Sequence, residues 1–444
     1  MLRKYTIKGG PALQGTVCTA GSKNAALPIF AATLLTEEEV ILHNVPVLRD
    51  TDTMIRLLER LGKRIVRVGT TVTISAADVP IKQPVQATYE VVKQMRASIC
   101  VLGPLLARYG HVEVALPGGC VFGPRPVDLH LKGLAQLGAD INIQHGDIMA
   151  TARSKTLVGA RVDLLGKFGT SVLATDNVLS AAVLAKGKTI INHAAQEPET
   201  VDLIHFLQAL GATIHCPKQK GYATIEIEGV DRLHGTEYTI IPDRIEACTY
   251  MIFAAMTGGK ITLTHVQADH LSAPITLLRN IGFEVTVSKG NSHRGTYLGQ
   301  SIVFQSTPLH QCDPFTLTTG TYPNFPTDMQ PLFMALATMV PGCSVIYESI
   351  YPNRFNHAPE LARMGAAIVI EGNSARITGV HSLQGARVQA SDLRAGAALV
   401  GAALSAEGES AIKRIYHIER GYEGLVTKLS SLGALINVDE DPIL

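Results

Sequence analysis

Apolar residues recur along this chain in a short helical stripe that stops at a glycine. The stripe reads Leu58-Glu59-Arg60-Leu61-Gly62, Leu134-Ala135-Gln136-Leu137-Gly138 and Leu207-Gln208-Ala209-Leu210-Gly211 in the first half. It returns as Leu278-Arg279-Asn280-Ile281-Gly282, Leu361-Ala362-Arg363-Met364-Gly365 and Leu429-Ser430-Ser431-Leu432-Gly433 in the second. Apolar side chains three or four positions apart share one helix face, and the glycine supplies the left-handed turn that ends the helix. Alternating segments follow most copies, as in Ala139-Asp140-Ile141-Asn142-Ile143 and Ala434-Leu435-Ile436-Asn437-Val438. Such alternation is the mark of a half-buried strand. The glycines lie 68 to 83 residues apart, a spacing that leaves room for a small α/β layer in each copy. Single helix-glycine-strand junctions occur in any α/β protein, whereas six at near-constant spacing predict a repeated α/β fold, split three and three. The repeat speaks to fold and not to chemistry.

Punctuation between the stripes places the boundaries. Residues 1–7 alternate like a strand, and Ala20-Gly21-Ser22-Lys23-Asn24 opens a helix. Thr239-Ile240-Ile241-Pro242-Asp243-Arg244 ends an alternating strand and precedes a helix predicted over 245–256, with proline at the junction. A crossover near residue 241 gives two domains, one of 1–22 with 242–444 and one of 23–241. Length agrees, since 444 residues exceed what one core supports.

Charged residues are 17% of the chain and hydrophobic ones 46%, which predicts a large interior. A net charge of +1 argues against a bulk nucleic-acid or membrane binder and still permits a local basic pocket. Seven scattered cysteines without a CxxC pair suit a reducing compartment. The N-terminus lacks the apolar core of a signal peptide, and no apolar run reaches about eighteen residues. The expectation is a soluble cytoplasmic protein with no membrane insertion.

The familiar phosphate motifs are missing. There is no GxGxxG, and Gly187-Lys188-Thr189 has Ala182 where a P-loop needs glycine. The fifteen histidines show no metal-ligand spacing. More telling is Leu116-Pro117-Gly118-Gly119-Cys120-Val121-Phe122-Gly123-Pro124-Arg125-Pro126, an expected exposed hinge that carries a thiol beside a cation. Lys23 stands at a helix start, where backbone N–H groups favour an anion. Arg96, Arg125, Arg394 and Arg420 each sit beside small or helix-breaking residues, although an arginine taken singly is best read as solvated. Asp328 follows Pro326-Thr327 at the expected opening of an apolar helix, a place where Thr or Asp ordinarily caps.

Several of these segments together resemble the UDP-N-acetylglucosamine enolpyruvyl transferase family. They are Lys23-Asn24-Ala25-Ala26-Leu27-Pro28, Pro117 to His130, and Phe325-Pro326-Thr327-Asp328-Met329-Gln330. Asn353-Arg354-Phe355, Pro359-Glu360-Leu361, Asp392-Leu393-Arg394 and Tyr416-His417-Ile418-Glu419-Arg420-Gly421-Tyr422 extend the match, which runs in family order from about residue 3 to 438. The resemblance implies an inside-out α/β barrel fold of two globular domains, each of three βαβαββ repeats. It implies transfer of the enolpyruvyl group of phosphoenolpyruvate to the 3′-hydroxyl of the nucleotide sugar, with phosphate released, as the committed step toward peptidoglycan. No metal or organic cofactor is implied, and the partners are these two small substrates, with no nucleic acid.

By the same resemblance Cys120 is the proton donor and Asp328 the base. Lys23, Asn24, Arg125, Arg354, Arg394 and Arg420 would hold phosphoenolpyruvate, whose phosphate and carboxylate suit arginine forks. Arg96, Arg125, Pro126, Val127, Asp128, Leu129, Gly169, Thr170, Ser171, Val172, Asp328 and Ile350 would hold the nucleotide sugar. A thiol among cations titrates lower than a free one and is open to alkylation, as fosfomycin alkylates the loop cysteine in this family. One stretch departs from the pattern: where some members have a lysine before a Ser-Val-Gly-Ala-Thr turn, this chain has Gly169, with Lys167 nearby, and Leu173 replaces the turn's glycine. Two rivals are the shikimate-pathway enolpyruvyl transferase, which lacks the PGGC loop, and a non-catalytic nucleotide-sugar sensor on the same scaffold.

Overall fold

The computed structural model describes residues 2–77, 85–92, 95–116, 127–217, 223–288 and 299–441. Cys120, Arg125 and Pro126 lie outside the described residues. The chain divides into two compact units, one of Met1–Ala20 with Pro242–Leu444 and one of Gly21–Ile241 apart from part of the 117–126 stretch. Gly21 and Ser22 go with the second unit. The backbone there is tight: a Cβ on Gly21 would lie 1.7 Å from the Asn44 carbonyl oxygen, so only glycine fits.

Among the described residues each unit holds three four-stranded sheets of mixed sense. In one sheet of the first unit, Gln14–Cys18 runs parallel to Lys260–Thr264, which pairs antiparallel with Ser301–Gln305, and that strand pairs antiparallel with Glu284–Val287. The other five repeat this order of one parallel and two antiparallel pairings. The six stripe-ending glycines all take positive φ, from 83° at Gly62 to 117° at Gly282. Each reverses the chain between a helix and the strand that follows. The strand expected over 1–7 spans Leu2–Lys8, and the helix expected over 245–256 spans Arg244–Thr257.

The helices are of two kinds. Arg49–Arg60 is amphipathic, burying Met54, Leu57 and Leu58 while its charges other than Asp50 face water. Arg244–Thr257, Gln330–Ala337 and Leu393–Ser405 in the first unit are buried nearly all round, as are Lys23–Ala32 and Val172–Ala182 in the second. Helices apolar on every face belong inside a core. Small residues bring them close, and a Cβ on Gly401 would press on Phe253 and Met256 at 3.1–3.2 Å. Four of these five buried helices carry a candidate site residue in or just before their first turn: Lys23, Val172, Asp328 and Arg394.

Candidate active site

In the first unit two of the candidate arginines, Arg354 and Arg394, meet at Asp328. The expected helix opening is instead a 3₁₀ turn, Thr327–Met329, leading into the helix Gln330–Ala337, and no side chain caps either N-terminus. The Asp328 carboxylate is engaged by arginines. Arg354 Nη1 donates to Oδ1 at 2.8 Å, and Arg394 Nε lies 3.5 Å from Oδ2. Both guanidiniums are buried while the carboxylate is about one-third exposed, with side-chain exposures of 4%, 3% and 31%. Burial alone would lower both arginines. Tyr422 and Asp328 lift Arg394 above its ordinary value, and Asp328 and Asp392 lift Arg354.

Local structure explains these positions. Asp392 caps the helix Leu393–Ser405, accepting from the backbone N–H groups of Arg394 and Ala395 at 2.9 and 3.0 Å, so Arg394 stands in its first turn. Arg394 Nη1 donates to the Tyr422 hydroxyl at 3.1 Å. The Thr249 hydroxyl gives its proton to the Ile245 carbonyl, so Tyr422 donates to Thr249 across 3.0 Å and keeps a lone pair for Arg394. Gly421 packs on Leu393, where a Cβ would meet a methyl at 2.5 Å. The Arg420-Gly421-Tyr422 turn is thereby seated on the helix that carries Arg394, with Arg420 half-buried. Ile350 gives its backbone N–H to Glu348.

In the second unit Ser22 caps the helix Lys23–Ala32, accepting from the Ala25 N–H. Lys23, its first residue, is buried and ion-paired to buried Asp50 at 3.3 Å, with Asn24 half-buried beside it. Arg96 opens the 3₁₀ turn Arg96–Val101 and is half-buried. Val127 precedes the helix Asp128–Gln136, whose first residues are Asp128 and Leu129. Gly169–Thr170 forms a short antiparallel pair with Leu165–Gly166, and Ser171 then caps the helix Val172–Ala182. Gly169 takes φ 99°, which a lysine there would adopt only with strain. Lys167 lies over the Phe168 ring at 5.3 Å.

Three of these segments meet at a residue the sequence did not single out. Asn177 Nδ2 donates to the Ile99 carbonyl and to His130 Nδ1, both at 2.8 Å, and its Oδ1 accepts from the Gly103 N–H at 2.6 Å. It thus ties the Arg96 turn, the Asp128 helix and its own helix together. Burial first, and then Arg96, pushes His130 down to about 3, which keeps the imidazole neutral with Nδ1 free to accept. Glu348, also unforeseen, plays the corresponding part in the first unit. A single Asn within a helix and a single Glu after a strand carry no sequence signal of their own.

Two thiols lie close to these residues, Cys100 within the Arg96 turn and Cys248 beside Thr249. Burial pushes the thiols of Cys100 and Cys248 up, which makes them poor nucleophiles. Among the described residues no group of three or more His, Cys, Asp or Glu is placed to hold a metal ion. None of the helices there is long and apolar enough to cross a membrane.

Comparison with known proteins follows the same lines. Residues 7–429 match the family of EPSP synthase (3-phosphoshikimate 1-carboxyvinyltransferase). A UDP-N-acetylglucosamine 1-carboxyvinyltransferase of Methylacidiphilum infernorum is 48% identical over 435 residues, 98% of each chain. One of Akkermansia muciniphila is 46% identical over 435 residues, again 98% of each. Among solved structures, the enolpyruvyl transferase NikO from Streptomyces tendae superposes with a TM-score of 0.87 at 24% identity, covering 99% of this chain and 100% of its own. EPSP synthase from Acinetobacter baumannii gives 0.75 at 18%, with the same coverage. These two structures speak to the fold alone, an α/β architecture of many mixed sheets.

Proposed function

The chain belongs to the enolpyruvyl transferase family and is a transferase, and from that premise we propose that it moves the enolpyruvyl group of phosphoenolpyruvate to the 3′-hydroxyl of UDP-N-acetylglucosamine. The acceptor is the one named in its 46–48% identical relatives. The observation that carries the reading is the meeting of two buried guanidiniums on one partly exposed carboxylate at Asp328. Buried charge of this kind costs several kcal/mol per ion unless it is matched, and here Asp328 supplies a matching charge. Phosphoenolpyruvate brings a carboxylate and a phosphate, and the arginines offer forks for both. Lys23, at the first turn of a buried helix, adds a cation where backbone N–H groups already favour anions.

The chemistry then has two steps. Asp328 takes the 3′-hydroxyl proton as the oxygen attacks C2, and the Cys120 thiol gives a proton to C3. The tetrahedral ketal next loses phosphate while one C3 proton passes to the Cys120 thiolate left by the first step, restoring the vinyl group. A base and an acid are both required, and each contributes about 10²–10⁴ in rate. Arg125 and Arg420 are assigned to phosphoenolpyruvate. Arg96, the 126–129 segment, the 169–172 segment and Ile350 are assigned to the nucleotide sugar. The six-sheet pattern also supports reading each unit as three βαβαββ repeats in an inside-out barrel. We place the reaction in the cytoplasm, as the committed step toward peptidoglycan.

The test is phosphate release from phosphoenolpyruvate. The reading expects it with UDP-N-acetylglucosamine and not with 3-phosphoshikimate. Release with 3-phosphoshikimate would select the shikimate-pathway activity, and binding of the nucleotide sugar without release would mark a sensor.

A further inference from the structure

Glu348 is completely buried, follows the strand Cys343–Tyr347, and its carboxylate spends its bonding on two loops. Its Oε1 accepts from the Thr319 hydroxyl at 2.8 Å and from the backbone N–H groups of Ile350 and Tyr351, each at 3.0 Å. Its Oε2 accepts from the Thr327 hydroxyl at 2.9 Å. Thr327 immediately precedes Asp328, and Tyr351 lies three residues before Arg354. One buried carboxylate therefore anchors both loops whose side chains form the Asp328–Arg354 pair.

The direction of each bond is forced. A carboxylate only accepts, so the Thr327 proton must point to Glu348. Arg354 Nη1 only donates, and it reaches both Thr327 Oγ1 at 3.0 Å and Asp328 Oδ1 at 2.8 Å. Thr327 consequently meets Arg354 with a lone pair. Reversing that hydroxyl would put a proton against a guanidinium. We infer that Glu348 is a positioning residue for the reaction: it fixes the Thr327 hydroxyl as an acceptor and so sets Arg354 against Asp328. The inference rests on the reading of Asp328 as the base, and it adds a residue that touches neither substrate. Burying a carboxylate is costly unless its hydrogen bonds are made, and here four donors make them.

Glu348→Gln tests this with little change of shape. The amide oxygen can keep the Thr319, Ile350 and Tyr351 bonds, while the NH₂ then faces Thr327 and turns an acceptor into a donor. We expect kcat to fall by about ten- to a hundredfold, the range for a lost hydrogen bond to a charged group. KM for UDP-N-acetylglucosamine should stay within about threefold, since the Ile350 bond survives. Thr327 is only half-buried, so Thr327→Val provides a second variant should Glu348→Gln fold poorly. It should lose kcat to a similar extent, Thr327→Ser should restore it, and the double variant Glu348→Gln/Thr327→Val should lose no more than either alone. Parent-level kcat in Glu348→Gln or Thr327→Val, or losses that multiply in the double variant, would overturn the inference. Absence of phosphate release in the unaltered enzyme would instead overturn the functional reading, so the two failures are distinct.

Discussion

The first unit organises its candidate residues around a buried carboxylate, the second around a buried amide. Glu348 only accepts, and it stands among donors: two hydroxyls and two backbone N–H groups, with a guanidinium one bond further on. Asn177 both donates and accepts, and it joins a carbonyl, an N–H and a neutral imidazole. The difference follows what each hub must hold. Where side-chain charges meet, as at Asp328, Arg354 and Arg394, a fixed negative charge sets the direction of every neighbouring bond. Where backbone segments carrying Arg96, Asp128 and Ser171 must keep station, an uncharged group with mixed capacity does so at lower desolvation cost.

Removing chemistry from the first region should have the largest effect. Asp328→Asn keeps the shape and loses proton-accepting capacity, and kcat should fall by about 10³-fold while nucleotide-sugar binding persists. Turnover near that of the parent, measured by phosphate release, would leave Asp328 only an ion-pair partner of the two arginines.

The second region should respond in stability before it responds in rate. Asn177→Leu leaves the Ile99 carbonyl, the Gly103 N–H and His130 without their partner, at a cost of about 3 kcal/mol or more. Urea unfolding with hydrogen exchange in the helix Val172–Ala182 would measure it. If exchange is unchanged there, Asn177 does not join these segments.

A smaller contrast lies in pH. Burial pushes Asp176, one residue before the amide hub, up to about 8, with Thr200 as its hydrogen-bond donor. A carboxyl raised in the folded state stabilises fully below its unfolded value near 4 and loses that contribution as pH climbs through 8. His130, lowered from 6.5 to about 3, acts oppositely, losing its contribution as pH falls from 6.5 toward 3. The second unit should therefore weaken on both flanks. Asp176→Asn should flatten the alkaline flank, by at most about 1.4 kcal/mol per pH unit, in unfolding titrations between pH 5 and 8. An unaltered slope would remove Asp176 from the explanation.

Smallest of all is the surface. Arg3 pairs with Glu419 at 2.8 Å, but its side chain is 54% exposed. Arg3→Ala should change stability by less than about 1 kcal/mol and leave turnover alone. A larger loss would mean that exposure is a poor guide to the contrast between hubs and rim.

The glycine-stopped stripes were legible because glycine at positive φ is a local requirement, readable from neighbours in sequence. The same holds for Lys23, whose helix start and serine cap are adjacent residues. Asp328 was legible as a position, but its setting was not: the expected helix opening is a 3₁₀ turn, and what holds the carboxylate comes from residues 26 and 66 positions away. Glu348 and Asn177 were invisible because their partners are spread along the sequence and each partner is a commonplace hydroxyl or backbone group. Gly169 takes φ 99°, a conformation that favours glycine and that its neighbours in sequence did not announce. Cys120 and Arg125, prominent in the sequence, lie outside the described residues.

The central claim is an addition followed by an elimination on phosphoenolpyruvate, and the reaction run in D₂O tests it most directly. Protonation of C3 by an exchangeable donor and later loss of a C3 proton from the resulting methyl group must leave deuterium in the vinyl group of the product. Mass and NMR analysis should find an enolpyruvyl ether on the 3′-oxygen of UDP-N-acetylglucosamine with deuterium at C3. The same ether formed without deuterium, or no ether at all while phosphoenolpyruvate is consumed, would contradict the account.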